Sequence, residues 1–170
     1  MNEILPVLEI LRSGEPGVTV ITSPYSLNDK EADGIVKAAR ARYDVGLPVM
    51  TGDRALQELS TPHAIALGCL ADNPFIEALY QKWHTLIDRW YPGPGGYAIQ
   101  MVPSPFRQNH HVLILGGSDP QGVSAAVGRF LEQLETNVDG RISWQLEVQL
   151  GDGHLPLPED RMDVLGTATS

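Results

Sequence analysis

The decisive stretch of sequence is HVLILGGSDPQG, residues 111–122. Its apolar first half, 111–115, predicts a strand that is buried on both faces. The glycines and Ser118-Asp119 that follow predict a tight turn, and Pro120 suits the first position of a helix. A strand, a turn and a helix in this order are typical of domains in which helices pack on a sheet.

The glycine turn at 116–122 has two interpretations. Free N–H groups and the helix dipole meet there, so Gly117, Ser118 and Asp119 are candidate ligand-binding residues. However, the stretch lacks the Gly-Lys-Ser/Thr ending of the Walker motif and the Gly-x-Gly-x-x-Gly spacing of dinucleotide-binding proteins. We therefore favour a capped helix that packs tightly on its strand. A stand-alone small-ligand or nucleotide-binding α/β protein that uses the Gly116–Gly122 turn is the alternative.

The rest of the chain alternates strands and helices around this unit. We predict strands at 18–22, 63–68, 97–102 and 142–150, and helices at 29–43, 53–59 and 74–90, with a further helix after Pro120 that carries an apolar stripe over 123–134. Asn73 and Pro74 form a helix start, with Asn73 as the N-cap. The order of these elements is α/β-like, and the pattern alone does not choose the order of strands in the sheet.

Composition limits the classes of protein and partner. With 170 residues, 42% of them hydrophobic and 19% charged, the chain is an ordinary globular protein of one-domain size. A net charge of −9 argues against nucleic acid and against an anionic membrane as partners, because both require clustered lysine and arginine. No apolar stretch reaches the roughly 18–20 residues of a membrane helix.

We find no complete catalytic, metal or cofactor site in the sequence. Cys69 is the only cysteine, which excludes an internal disulfide and a cysteine-based metal cluster. His110 and His111 are adjacent on a strand and should point to opposite faces, so surface or strand-end positions are expected for the histidines. No two carboxylates can be paired from the pattern for glycoside chemistry, and Ser118 lacks the Gly-x-Ser-x-Gly elbow of a nucleophile. We therefore assign no catalytic residue.

Aromatic residues supply a further candidate contact. Trp90 and Tyr91 precede the Pro/Gly loop 92–96, and exposed aromatic rings there could stack on a polysaccharide. Trp83 falls on the apolar stripe of the helix predicted for 74–90. Core or interdomain packing is the favoured interpretation for Trp83.

Several motifs together resemble a known family. They are, in order, the strand Ala64-Ile65-Ala66-Leu67-Gly68, the Asp72-Asn73-Pro74-Phe75-Ile76 helix start, the Gly95-Gly96-Tyr97-Ala98-Ile99 strand, the 112–123 strand and turn, and Phe130-Leu131-Glu132. This order resembles the non-catalytic N-terminal domain that precedes the catalytic barrel in α-glucuronidases and β-hexosaminidases, the chitobiase domain 2 type. Gln121-Gly122 and Ser124-Ala125-Ala126 replace the Arg-Gly and Tyr-Gly or Tyr-Ala pairs that are common in that family.

The resemblance covers about residues 17–150 and implies the fold and the role of the chain. It implies an α+β fold like the β-N-acetylhexosaminidase domain, a mixed β-sheet with helices packed mainly on one face. It also implies a non-catalytic accessory domain that packs against the catalytic module of the same polypeptide, in a glycoside hydrolase or polysaccharide lyase outside the cell or in the periplasm. We accordingly divide the chain into an N-terminal extension at 1–16, the accessory domain at 17–150, and a linker or the start of a following module at 151–170.

Overall fold

A mixed six-stranded sheet forms the centre of the protein, and the computed structural model describes residues 5–152. The strands of this part of the chain are β1 (Val7–Glu9), β2 (Leu11–Arg12), β3 (Glu15–Pro16), β4 (Val18–Thr22), β5 (Val49–Thr51), β6 (His63–Gly68), β7 (Tyr97–Val102), β8 (Val112–Gly117), β9 (Arg141–Ser143) and β10 (Leu146–Gln149). The helices are α1 (Asp29–Tyr43), α2 (Gly52–Glu58), α3 (Pro74–Gln81) and α4 (Pro120–Thr136).

The sheet combines parallel and antiparallel pairs. Its strand order is β10-β7-β8-β6-β4-β5. Strands β5, β4, β6 and β8 pair in parallel, whereas β7 runs antiparallel to β8, and β10 runs antiparallel to β7. The α+β fold with a mixed sheet is thereby confirmed. The carboxyl ends of β4, β6 and β8 lie at one edge of the sheet, and their amino ends lie at the opposite edge.

The two long helices cover one face of this sheet. Ile35 of α1 and Phe130 of α4 are fully buried there, in a core that also takes up Val20, Ile65 and Leu115 from the strands. The other face carries the two short helices, which bury Ala55 and Phe75 against the small side chains of Ala64 and Ala66. Helical cover is therefore much heavier on the α1–α4 face.

The N-terminal residues contribute to the core. Strand β1 pairs antiparallel with β9, and β2 pairs with β3, so residues 7–16 take part in two small two-stranded ribbons. Leu8 and Ile10 are buried in the same cluster as the α1 and α4 side chains. The core therefore begins at Leu8, ahead of the expected boundary at residue 17. Of the expected linker at 151–170, residues 153–170 lie outside the described part of the chain.

Helix α3 is shorter than the sequence predicts, and this corrects the expected helix over 74–90. It ends at Gln81, where the N–H of Trp83 donates to the Tyr80 carbonyl and the N–H of His84 donates to the Leu79 carbonyl. These two bonds form a Schellman motif, and Trp83 has the left-handed backbone conformation (φ +62°) that this motif requires. The chain then leaves the helix, and Trp83 is 84% exposed instead of contributing to the core.

The predicted strand 142–150 is interrupted. Its first part is β9, which pairs with β1, and its second part is β10, which is the outer strand of the main sheet beside β7. Both parts pair antiparallel, as predicted, and both carry exposed side chains. Within residues 5–152, none of the helices combines the length and the apolar character needed to cross a membrane.

Candidate functional site

The glycine turn lies at the carboxyl end of β8 and is filled by its own side chains. Asp119 is the N-cap of α4, where its Oδ1 accepts the N–H of Gly122 at 2.8 Å. Its Oδ2 accepts the N–H of Gly95 at 3.0 Å, and Ser118 Oγ accepts the N–H of Gly93 at 2.9 Å. A carboxylate of the chain itself therefore stands at the helix N-terminus where a bound anion would be placed.

The glycines of this region allow backbones to approach closely. Gly117 is the last residue of β8, and a Cβ there would lie 2.5 Å from the backbone N of Val123. A Cβ on Gly122 would collide with the carbonyl oxygen of Gly96. The backbones of strand β8, helix α4 and the loop 92–96 therefore approach so closely that only glycine fits at these positions. This geometry favours the packing interpretation of the turn over the ligand-binding one.

The predicted site residues lie close together in space. Ser118 and Asp119 accept hydrogen bonds from Gly93 and Gly95, which lie two and four residues after Tyr91. The N–H groups of Trp90 and Tyr91 both donate to Asp88 Oδ1, each at 2.8 Å. Trp90 is 67% exposed, whereas Tyr91 packs partly against the core on the α2–α3 face. Only Trp90 of this pair therefore presents a largely open ring.

An open groove of about 520 Å³ borders the turn at the carboxyl edge of the sheet, and Tyr25, Arg89, Ser118 and Asp119 line it. Cys69 also lines this groove, and burial and then the neighbouring Asp72 carboxylate raise the pKa of its thiol to about 11. Such a thiol is protonated at neutral pH, which agrees with the expectation of a small buried hydrophobic residue and not a nucleophile.

Exposed apolar side chains cluster beside the outer strand β10. Leu146 and Val148 pair with Gln100 and Ala98 of β7, so they point to the same side of the sheet as Ala98, which belongs to the core on the α2–α3 face. Leu146 is 59% exposed and Val148 is 37% exposed. The outer edge of the sheet is therefore apolar on this side.

The segment after α3 runs along this edge. Gln100 Nε2 donates to the carbonyl of His84 at 2.7 Å, and the N–H of Gly151 donates to the carbonyl of Pro92 at 3.0 Å. Ile87 is buried and anchors the segment, while Trp83, Leu86 and Trp90 are 84%, 57% and 67% exposed. We call the five side chains Trp83, Leu86, Trp90, Leu146 and Val148 the apolar surface.

Two histidines meet at the opposite, amino-terminal edge of the sheet. The rings of His63 and His111 are stacked, with centroids 5.2 Å apart and planes inclined by 9°. Both residues lie at strand ends, one of the two positions expected for the histidines, but they are buried and not on the surface. The parallel register of β6 and β8 brings them together, and this register could not be read from the sequence. Within residues 5–152, no group of three or more His, Cys, Asp or Glu side chains is placed to hold a metal ion.

Comparison with known proteins gives a structural likeness without a sequence relative. No protein-family model matches the chain, and no curated protein matches it in sequence. Among solved structures, the chain is similar to a family GH115 4-O-methyl-α-glucuronidase with specificity for decorated arabinogalactans, with a TM-score of 0.58 and 12% sequence identity. The match covers 84% of this chain and 18% of that enzyme, so the chain spans about a fifth of its length. The fold of this chain therefore occurs within a glycoside hydrolase.

Proposed function

We propose that this chain is a non-catalytic accessory domain of a carbohydrate-processing enzyme, of the type that precedes the barrel of α-glucuronidases and β-hexosaminidases. In this role it packs against the catalytic module of the same polypeptide, a glycoside hydrolase or polysaccharide lyase module, and stabilises its position. The domain itself carries out no reaction and takes no cofactor.

The apolar surface is the observation that carries this proposal. Single exposed hydrophobic residues are common on soluble proteins, but neighbouring large ones mark interaction sites. Two tryptophans more than half exposed lie on one short segment, which hydrogen-bonds to β7 and to Gly151 after β10, and we interpret them with the β10 side chains as such a surface. Aromatic side chains are also enriched in the buried centre of protein interfaces.

The fold likeness supports the same proposal from a separate direction. A similar fold occupies 18% of the length of a GH115 glucuronidase, so in that enzyme it is one part of a much longer chain. The motif order quoted for the family also covers most of this chain. A likeness of fold does not by itself establish a role. The evidence for the accessory role is therefore the apolar surface.

The test uses the complete polypeptide encoded by the reading frame that contains this chain. We expect that frame to encode a glycoside hydrolase or polysaccharide lyase module, and Trp83→Ser with Leu86→Ser to lower the thermal midpoint of that module. Val49→Ser is the matched control, because Val49 is 49% exposed on β5, at the far edge of the sheet from β10. A frame without such a module, or equal midpoints for all variants, would remove the proposal.

Direct binding of polysaccharide is a second candidate, favoured by the groove at the carboxyl edge of the sheet. Tyr25 is 70% exposed there, and Asp72 and Arg89 supply polar groups of the kind that bind sugar hydroxyls. Retention of the parent chain on an immobilised polysaccharide, lost in Tyr25→Ala and Trp90→Ala, would support this function. No retention of the parent chain would end it.

A further inference from the structure

The stacked histidines are held in one tautomer by backbone donors. The N–H of His111 donates to Nδ1 of His63 at 3.0 Å, and the N–H of Ser104 donates to Nδ1 of His111 at 3.2 Å. An imidazole nitrogen that accepts a hydrogen bond carries no proton, so in each neutral ring the proton is on Nε2. Both rings therefore present an N–H, and neither has the free Nε2 lone pair that a metal ion would need.

The Nε2–H of His63 is buried without an acceptor. His63 is 2% exposed, and its Nε2 has no hydrogen-bond partner among residues 5–152. Nearly all buried donors in folded proteins are paired, so an unpaired one indicates that its acceptor is not among residues 5–152 and is supplied by something else, such as a water molecule or a bound ligand. His63 lines two cavities, so each is a candidate location for such an acceptor.

The smaller cavity, of about 250 Å³, has the composition of a ligand site. Its walls are mostly apolar, and they include Leu59, Phe75 and Phe106. Its polar lining includes Arg107 as well as His63, His110 and His111, and no aspartate or glutamate of the described part of the chain lines it. In a chain of net charge −9, a cavity with a cation, several N–H donors and no carboxylate selects for a negatively charged acceptor.

We propose that this cavity binds a small organic carboxylate with an apolar body. Its apolar part lies against Phe75 and Phe106, and its carboxylate lies at Arg107 and the imidazole N–H groups. Arginine and imidazole donors match carboxylate oxygens, and the cavity volume limits the ligand to a small molecule. This site is independent of the accessory role, because it lies at the amino-terminal edge of the sheet.

The larger cavity, which His63 and His111 also line, allows a comparison within the same molecule. It measures about 610 Å³ and is lined by Arg12 and Arg141, but also by Glu9, which pairs with Arg12 at 3.1 Å. A carboxylate ligand there would meet a carboxylate of the chain. The smaller cavity is therefore the assigned site, and Arg107→Gln and Arg141→Gln distinguish the two.

The experiment is a titration of the chain with benzoate, followed through the imidazole nitrogen resonances of His63 and His111. Benzyl alcohol, which has the same phenyl ring and no charge, is the control ligand. We expect saturable shifts with benzoate. Binding should be weaker by roughly tenfold or more with benzyl alcohol and in Arg107→Gln, and unchanged in Arg141→Gln. Amide spectra of both variants verify that the fold is intact.

Three results would overturn this assignment. They are the absence of a saturable shift with benzoate, equal affinity for benzyl alcohol, and a dependence on Arg141 in place of Arg107. A failure of this titration would leave the accessory-domain proposal untouched, because that proposal concerns the apolar surface.

Discussion

The carboxylate of Asp119 accepts the backbone N–H of Gly95 at 3.0 Å, across 24 residues of sequence. The same carboxylate caps α4 through the N–H of Gly122. One side chain thus joins the start of a helix to the loop that leads into β7. This relationship makes the glycine turn a structural junction, and its energetics can be measured.

Substitutions of Asp119 should separate the two bonds. Asp119→Ala removes both and should lower the free energy of unfolding by about 2–3 kcal/mol. Asp119→Asn keeps an oxygen for the cap but presents an N–H₂ group to Gly95, so we expect a loss of about 1 kcal/mol. Urea denaturation measures both. Asp33→Ala, which breaks only an exposed ion pair with Lys37, should change stability by less than about 0.5 kcal/mol, and equal losses in all three variants would contradict the account.

Two glycines of α4 should respond in opposite directions to alanine. Gly128 is exposed with nothing within 4 Å of an added Cβ, so Gly128→Ala should stabilise the protein by about 0.5–1 kcal/mol through helix propensity. Gly122→Ala places a methyl group against the carbonyl of Gly96 and should destabilise it by about 1–3 kcal/mol. Thermal denaturation of the two variants checks this. If both variants were more stable than the parent chain, a methyl group would fit between Gly122 and the Gly96 carbonyl, contrary to the account.

His63 should make stability depend on pH. Burial, followed by the neighbouring His111, lowers the pKa of His63 to about 4, from 6.5 in the unfolded chain. Below pH 6.5 His63 is protonated in the unfolded state, whereas in the folded state it stays neutral until about pH 4. The free energy of unfolding therefore falls as the pH falls through this window. Between pH 6.5 and 5 the loss should be roughly 1–2 kcal/mol.

The free energy of unfolding, measured from pH 7.5 to 5, checks the histidine prediction. In His63→Gln the titrating ring is gone, so the slope in this window should shrink, whatever the stability of the variant at neutral pH. A slope equal to that of the parent chain would mean that other groups cause the pH dependence.

The apolar surface should be dispensable for the fold of this chain. Trp83 and Trp90 are largely exposed, so Trp83→Ser and Trp90→Ser should change the free energy of unfolding of the 170-residue chain by less than about 0.5 kcal/mol and should increase its solubility. Chemical denaturation and solubility measurements check this. A loss of several kcal/mol would show that these rings support the domain itself.

The main sheet and its helices could be predicted where a signal was local. The apolar run of β6 and the Asn73-Pro74 start of α3 are confirmed, with the Asn73 side chain accepting the N–H of Phe75 at 3.0 Å. Strands β1, β2 and β3 have only two or three residues each, too short for alternation to show. Pairing, and not their own pattern, makes them strands, with distant β9 for β1 and within a local hairpin for β2 and β3.

The end of α3 could not be predicted because its signal is atypical. Helices that end in a left-handed residue usually place glycine there, and this chain places Trp83. The apolar periodicity continues past this point in sequence, but Trp83, Leu86 and Trp90 face outward. The same residues that suggested a longer core helix thus form most of the apolar surface.

The candidate sites depend on pairings that are remote in sequence. Ser118 and Asp119 could be singled out, but their contacts with Gly93 and Gly95 require β7 and β8 to lie side by side. The stack of His63 on His111 joins residues 48 positions apart, as does the bond between them. Neither pair of contacts corresponds to a known sequence motif. Both are set by the register of the strands, which the sequence does not reveal.

Oxidative footprinting of Trp83 and Trp90 tests the central claim most directly. In the 170-residue chain both indoles should oxidise rapidly, as their exposures of 84% and 67% require. In the complete polypeptide we predict that both oxidation rates fall several-fold. The oxidation rate of Phe106, in the loop between β7 and β8, should stay the same. Unchanged oxidation of the two tryptophans in the complete polypeptide would contradict the claim that this surface packs against a catalytic module.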